Sequence, residues 1–209
     1  MRDEWYGDKR DLVKWGVLVQ LAWRYSVKHI LQVLYYRPTI WGHLEIEGAK
    51  VKLPESVLQQ FRRTGAISAL QCPARIEVVQ EHFRERTKYL QLVLQKIRLR
   101  TQVPGIVFLD PDTGLEPAVA GPKHVLESEL ISIWQAMKTS DVLVFYQHQT
   151  NRNNTPWIEP KRLQFEGALR LEPGSAKVAS GVEIAKDVVF FFCQKRDQDA
   201  NDGLTNVSR

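Results

Sequence analysis

The sequence predicts an α/β domain built on a largely parallel central sheet. Apolar, strand-like runs alternate along the chain with amphipathic segments of helical period, a pattern typical of parallel strands joined by helices. Two of these runs, GIVFLD and DVLVFYQH, end in polar side chains, and ligands of such sheets bind beyond the carboxyl ends of the strands. The 209 residues suffice for one sizeable domain, predicted at 1–195 with a flexible tail at 196–209.

The first half of the chain predicts a helix, two strands and a hairpin. Leu12, Trp15 and Val19 recur close to helical spacing, with Asp8 or Asp11 as the N-cap. The predicted elements are a helix at 8–27, a buried strand at 29–36, a hairpin at 43–53 turning near Gly48, a short helix from Pro54 to Gly65, and a strand at 74–83.

The second half repeats the alternation and closes with strands. In the segment 84–100, Tyr89, Val93 and Ile97 share one helical face. The predicted elements are a helix at 84–100, a strand at 105–110, a helix at 123–138, a strand at 141–148, a weak helix starting near Pro160, and strands within 175–195.

Composition bounds the possible functions. The net charge of +5 permits contact with nucleic acid but does not require it. Cys72 and Cys193 lie far apart, which argues against a disulfide framework or a cysteine zinc site. No stretch is apolar for the length of a membrane span, and the charged N-terminus differs from a signal peptide. We therefore expect a cytoplasmic protein without a membrane partner.

Three carboxylates follow the most strand-like segment. Asp110 ends the strand, and a turn at Pro111 and Gly114 is predicted to bring Asp112 and Glu116 toward the same crevice. Crowded carboxylates repel one another, so they need a compensating charge. Either Mg²⁺ or the lysines of the N-terminal segment can supply it. The alternative is an ordinary acidic turn whose side chains point into water.

Two further segments carry candidate functional groups. The segment GDKRDLVKW places Lys9, Asp11 and Lys14 around a helix start, where they line a site or form a solvated first turn. His148 ends a strand and is either an acid–base group near neutral pH or a hydrogen-bonded structural residue.

A basic loop is the candidate nucleic-acid surface. It mixes the cations Arg152, Lys161 and Arg162 with the aromatic Trp157, a combination that suits a phosphate backbone and stacked bases. The basic face of the helix at 84–100 is more typical of a solvated surface.

The motifs GDKRDLVKW, VFLDPDTGLEP, KHVLESEL and VLVFYQH, in this order, resemble a family of uncharacterised bacterial proteins. That family carries a GD-x-x-D-x-x-K-[YW] start, a DPDNGLE-like strand end and a tyrosine–histidine strand end. The resemblance covers residues 6–148. More remotely, the layout is similar to the class I ribosomal RNA adenine-N6 methyltransferases.

The methyltransferase resemblance implies a fold and a site. It implies a Rossmann-like three-layer sandwich completed by an antiparallel hairpin within 175–195. It also implies that Asp110-Pro111 grips a target amine, and that S-adenosylmethionine lies beside the N-terminal segment, whose cofactor-binding candidates are Gly7, Asp8, Lys9, Asp11 and Lys14.

Three hypotheses for function remain open at this stage. The first is a methyltransferase-like enzyme acting on a nucleic-acid base through Asp110. The second is a Mg²⁺-dependent nuclease or phosphohydrolase, with His148 moving a proton and Lys9 or Lys14 stabilising phosphate; its metal ligands are Asp110, Asp112 and Glu116. The third is a degenerate, non-catalytic Rossmann-like module that binds nucleic acid or protein.

Overall fold

The structure, a computed structural model, consists of a central sheet between helices. It describes residues 8–37, 43–54, 56, 64–101, 104–149, 151 and 155–197. Its strands are β1 (His29–Val33), β2 (His43–Ile46), β3 (Ala49–Lys52), β4 (Arg75–Val79), β5 (Gly105–Leu109), β6 (Gly114–Leu115), β7 (His124–Val125), β8 (Val142–His148), β9 (Lys177–Gly181) and β10 (Ala185–Gln194). The helices in this part of the chain are α1 (Lys9–Arg24), α2 (Arg86–Leu99), α3 (Glu127–Ala136) and α4 (Ile158–Leu169).

The central sheet has six strands in the order β4-β1-β5-β8-β10-β9. The first four strands are parallel, β10 runs antiparallel to β8, and β9 runs antiparallel to β10. This confirms the predicted α/β class, with a mostly parallel sheet and an antiparallel C-terminal hairpin. Because the first four strands are parallel, the carboxyl ends of β1, β5 and β8 meet at one edge of the sheet.

Each face of the sheet has its own core. On one face, α1 packs against the sheet through residues such as Leu18 and Leu21, together with Ile30 of β1. On the other face, the same strand contributes Leu31 to a core that includes Val93 of α2, together with side chains of α3 and α4. Strand side chains alternate between faces, so one run of apolar residues supplies both cores. The result is the predicted three-layer sandwich.

The first helix is placed so that its first turn meets the binding edge of the sheet. Asp8 caps the helix by accepting hydrogen bonds from the backbone N–H groups of Arg10 and Asp11, at 2.8 and 3.2 Å. The helix lies against β9 and β10. At Gly181 in β9 a Cβ atom would fall 2.8 Å from Val13 Cγ2, so this close approach requires glycine.

Some element boundaries differ from the sequence prediction. The strand predicted at 29–36 ends at Val33, although the next three residues stay buried. The helix predicted at 123–138 begins at Glu127, because β7 pairs with β6 in a short parallel ladder. Most of the predicted helix from Pro54 to Gly65 lies outside the described residues, which show a 3₁₀ helix at Thr64–Ala69.

The predicted hairpin and the C-terminal tail have different outcomes. The hairpin is present as β2 and β3, with Gly48 at φ +78° in its turn. The predicted flexible tail lies almost entirely beyond residue 197, outside the described residues. Within the described residues, no helix combines the length and apolar character that crossing a bilayer demands.

We expect the aromatic cluster beside β1 to make the protein sensitive to alkaline pH. Tyr89 is buried against Tyr35 and Phe83, and its hydroxyl oxygen accepts a hydrogen bond from the backbone N–H of Tyr35 at 3.2 Å. Burial raises the pKa of Tyr89 above its ordinary value of 10.0. The folded chain therefore keeps a proton that the unfolded chain loses above pH 10. Because of this difference, the free energy of unfolding falls as the pH rises from 10 toward the folded-state pKa.

The measurement is the free energy of unfolding in urea between pH 9.5 and 11.5. Above pH 10, the free energy of unfolding of Tyr89→Phe should fall with pH less steeply than that of the unchanged protein, by about 1.4 kcal/mol per pH unit. Phe83→Leu is the control, because it disturbs the same cluster without removing a titratable group. Equal slopes for the protein and for Tyr89→Phe would contradict the prediction.

Candidate functional site

A cavity of about 260 Å³ opens at the carboxyl ends of β5 and β8, beside the first turn of α1. Its walls are made mainly of charged and hydroxyl-bearing side chains, contributed by segments that are distant in the sequence. The lining residues are Asp8, Arg10, Asp11, Lys14, Asp110, Pro111, Asp112, Thr113, Lys123, Tyr146 and His148. The structure thus brings together the N-terminal segment, the strand-end carboxylates and the strand-end histidine that the sequence singled out.

The floor of the cavity is a buried cluster around Lys14. The ammonium of Lys14 lies 2.6 Å from Asp11 Oδ1 and 2.9 Å from Asp110 Oδ2. Gln32 of β1 donates a further hydrogen bond from Nε2 to Asp110 Oδ2 at 2.8 Å. The same ammonium lies 5.4 Å from the centre of the Tyr146 ring. The charge that compensates these two carboxylates is therefore a lysine.

Burial and charge act in opposite directions on this cluster. Burial alone lowers the pKa of Lys14, but the two neighbouring carboxylates outweigh it, and the pKa of Lys14 is raised. Burial raises the pKa of Asp110, and the charge of Asp11 adds to that effect, while Lys14 and Gln32 oppose it. One lysine serves two carboxylates, and this favours the charged form of Lys14.

The rim of the cavity contains a residue that the sequence did not indicate. Asp187 of β10 accepts hydrogen bonds from Arg10 Nε and Nη2 at 3.1 and 2.5 Å, and its carboxylate also lies 3.1 Å from His148 Nε2. Burial raises the pKa of Asp187, but Arg10 outweighs it and the pKa is lowered. Position 187 is 177 residues from position 10, and no local pattern predicts that contact.

His148 is held by oxygen atoms at both ring nitrogens. Besides its contact with Asp187, its Nδ1 lies 2.8 Å from the carbonyl oxygen of Gln149. In this arrangement each ring nitrogen faces an oxygen atom of the protein, so neither is left as an acceptor for a ligand. The geometry is that of a histidine which helps to build the rim.

The three predicted metal ligands have three different partners. Asp110 is paired with Lys14, Asp112 forms an ion pair with Arg37, and Glu116 Oε1 accepts the backbone N–H of Glu127 at 2.7 Å. Glu116 therefore stabilises the start of α3. Within the described residues no three His, Cys, Asp or Glu side chains are arranged to hold a metal ion. The predicted Mg²⁺ site is not supported.

Two of the cations predicted to bind nucleic acid, Lys161 and Arg162, form contacts within the fold. Lys161 donates to the carbonyl oxygens of Leu115 and Glu116 at 3.3 and 3.2 Å, and to Gln164 at 2.7 Å. Arg162 forms ion pairs with the carboxylates of its own helix, Glu159 and Glu166, at 2.6 and 2.9 Å.

The remaining predicted site residues lie away from the cavity or outside the description. Trp157 packs, partly buried, against the core under α2–α4. Lys9 is exposed and does not line the cavity. Gly7 and Arg152 fall outside the described residues.

Residues 34–36, which follow β1, include no glycine. Nucleotide cofactors of Rossmann-like sheets approach the backbone at a glycine-rich turn after the first strand. Here the turn contains Leu34, Tyr35 and Tyr36, which are 0%, 3% and 7% exposed, and Tyr35 adopts a left-handed φ of +47°.

Comparisons with known proteins find similarity to solved structures alone. No family model and no curated protein matches the chain, so membership of the bacterial family remains a prediction. The chain is similar to an O-methyltransferase family protein from Burkholderia thailandensis, with 8% sequence identity and a TM-score of 0.41. The similarity covers 90% of this chain and 58% of that one, so this chain spans less than two thirds of that protein's length.

We expect Lys14 to be essential for stability. Lys14→Met leaves Asp11 and Asp110 as buried carboxylates without their cation, and this should destabilise the protein by about 3–5 kcal/mol in urea unfolding. Lys88→Met, at a lysine side chain that is 79% exposed, is the control and should change stability by less than about 0.5 kcal/mol.

A triple variant separates charge from packing. Asp11→Asn, Lys14→Met and Asp110→Asn together remove all three charges and should recover most of the stability lost in Lys14→Met. A Lys14→Met variant as stable as the Lys88→Met control would contradict the structure of the cluster.

We expect S-adenosylmethionine not to stabilise the protein. A ligand at 100 times its Kd adds about 2.7 kcal/mol to the free energy of unfolding. In a chain of this size that corresponds to a rise in Tm of roughly 5–10 °C. With 1 mM S-adenosylmethionine the Tm should stay within about 1 °C of its value without ligand. A rise in Tm of several degrees would show that the protein binds the cofactor and would contradict this expectation.

Proposed function

We propose that the cavity binds one amine-bearing base of a nucleic-acid strand, with Asp110 accepting a hydrogen bond from the exocyclic amine. The observation that carries this proposal is the position of Asp110, which lies at the end of β5, is 1% exposed and lines the cavity. A carboxylate held at the end of a rigid strand is a preorganised acceptor for a ligand at that edge of the sheet.

The hydrogen bonds of Asp110 fix its orientation. Both Lys14 and Gln32 are bound through Oδ2. Oδ1 has no hydrogen-bond partner among the described residues, which leaves one carboxylate oxygen for a ligand. An ionised carboxylate only accepts hydrogen bonds, and the amine of adenine or cytosine is a matching donor.

Tyr146 adds a second polar contact beside Asp110. It lines the cavity, and its hydroxyl has no hydrogen-bond partner within the described part of the chain. Burial raises the pKa of Tyr146 well above its ordinary value, so the hydroxyl stays protonated at neutral pH and can donate a hydrogen bond. Together, an acceptor and a donor match the amine and the adjacent ring nitrogen of adenine or cytosine. Uracil presents a carbonyl oxygen in place of the amine, which a carboxylate repels.

The cavity supports base recognition more directly than either catalytic hypothesis. A metal-dependent nuclease needs a set of ligands that the described residues do not form. Methyl transfer needs a cofactor, and residues 34–36 after β1 lack the glycine of the turn that usually admits it. A volume of about 260 Å³ suits a small polar ligand such as a single base.

The test measures the affinity of uracil oligonucleotides that carry one adenine or one cytosine, against an all-uracil strand, by fluorescence anisotropy. The strands with an amine-bearing base should bind more tightly. The preference of the unchanged protein for these strands should be about tenfold or more, since a buried hydrogen bond to a charged group contributes roughly 1.5–3 kcal/mol. Asp110→Asn should lose this preference. Glu85→Gln, at an exposed carboxylate that precedes α2 and does not line the cavity, is the matched control and should keep the preference.

Two other results would change the conclusion. Equal affinity of the unchanged protein for all strands would overturn base recognition. Methylated adenine or cytosine after incubation of the strands with S-adenosylmethionine would make the protein a methyltransferase, with Asp110 gripping the target amine.

A further inference from the structure

The charged groups around the cavity are paired with one another, with one exception. Lys14 is paired with Asp11 and Asp110, as described above, and Arg10 forms ion pairs with Asp8 and Asp187 at 2.9 and 2.5 Å.

The exception is Lys123. It lines the cavity and is exposed, and its ammonium has no ion pair or hydrogen bond within the described residues. Asp112, the remaining carboxylate of the lining, is paired with Arg37. The mouth of the cavity therefore presents a cation that no described side chain neutralises.

The backbone of Lys123 is fixed although its side chain is exposed. Its carbonyl oxygen accepts hydrogen bonds from the backbone N–H of Thr113 at 3.2 Å and from the Thr113 hydroxyl at 2.9 Å. The next residue, His124, pairs with Gly114 in the β6–β7 ladder. The backbone of Lys123 is thus anchored to the turn that follows Asp110, which keeps its side chain within reach of the mouth of the cavity.

We infer that the ligand carries a phosphate group, which Lys123 binds at the mouth of the cavity. This inference rests on the proposed base recognition and specifies its ligand as a nucleotide unit. The floor offers an acceptor for a base amine, and the mouth offers a compact cation, which is a usual partner of phosphate oxygens. A nucleotide carries both complementary groups, an amine-bearing base at one end and an anion at the other.

The experiment compares nucleotides with the matching nucleosides by isothermal titration calorimetry at low ionic strength. The probes are adenosine 5′-monophosphate against adenosine, and cytidine 5′-monophosphate against cytidine. The unchanged protein should bind each nucleotide about fivefold more tightly than its nucleoside, the gain expected of a solvent-exposed ion pair. In Lys123→Gln this advantage should vanish.

Lys88→Gln is the matched control, because it removes the same charge from an exposed lysine on α2 that does not line the cavity. It should keep the fivefold advantage. Equal Tm values for the two variants confirm that both are folded.

The outcomes separate this inference from the proposal it rests on. If neither nucleosides nor nucleotides bind, base recognition itself fails. If nucleosides bind as tightly as nucleotides, only the phosphate site at Lys123 is overturned. It is also overturned if the nucleotide advantage persists in Lys123→Gln, because the phosphate is then held elsewhere.

Salt dependence gives a second readout with oligonucleotides. Each phosphate neutralised on a single strand contributes about −0.7 to the slope of log affinity against log salt concentration. Lys123→Gln should make that slope shallower by about this amount, and Lys88→Gln should leave it unchanged. An unchanged slope in Lys123→Gln would contradict the inference.

Discussion

The arrangement of the binding edge depends on one buried ammonium group. Lys14 is 4% exposed and lies within 3 Å of carboxylate oxygens of both Asp11 and Asp110. Taking three charges out of water costs several kcal/mol for each ion, and the cost is offset only when the geometry of the pairs is good. The first helix must therefore meet the end of β5 in one orientation, because any other leaves buried charges without partners.

That constraint produces a cavity whose polar groups are fixed before a ligand arrives. Gln32 orients Asp110 from β1, and Asp187 joins Arg10 of α1 to His148 of β8. A ligand that enters such a cavity does not have to order its walls, which lowers the entropic cost of binding. The same contacts hold His148 and Asp187 in fixed positions beside the cavity.

The sheet has the predicted topology, but the turn after its first strand differs from that of a typical cofactor-binding sheet. The parallel sheet with its antiparallel C-terminal hairpin is what the resemblance to class I methyltransferases implied, and it is present. The turn at which such a sheet usually admits a nucleotide cofactor has no glycine at residues 34–36 here, and Tyr35 and Tyr36 belong to the two cores on opposite faces of the sheet. The fold alone therefore does not carry an enzymatic activity, and the argument for function depends on the cavity.

The sequence by itself determined the elements and the edge at which function would be found. Helical spacing located α1 and α2, apolar runs located β1, β5 and β8, and the polar ends of two strands marked the binding edge, because these signals are local. Tertiary structure alone decided how the charges pair. In the folded structure, Asp110 pairs with Lys14, Glu116 contacts the start of α3, and Asp187 contacts Arg10 beside the cavity. Ion pairs depend on which strand ends become neighbours, and residues such as Gln32 and Asp110, 78 positions apart, meet only when the sheet has formed.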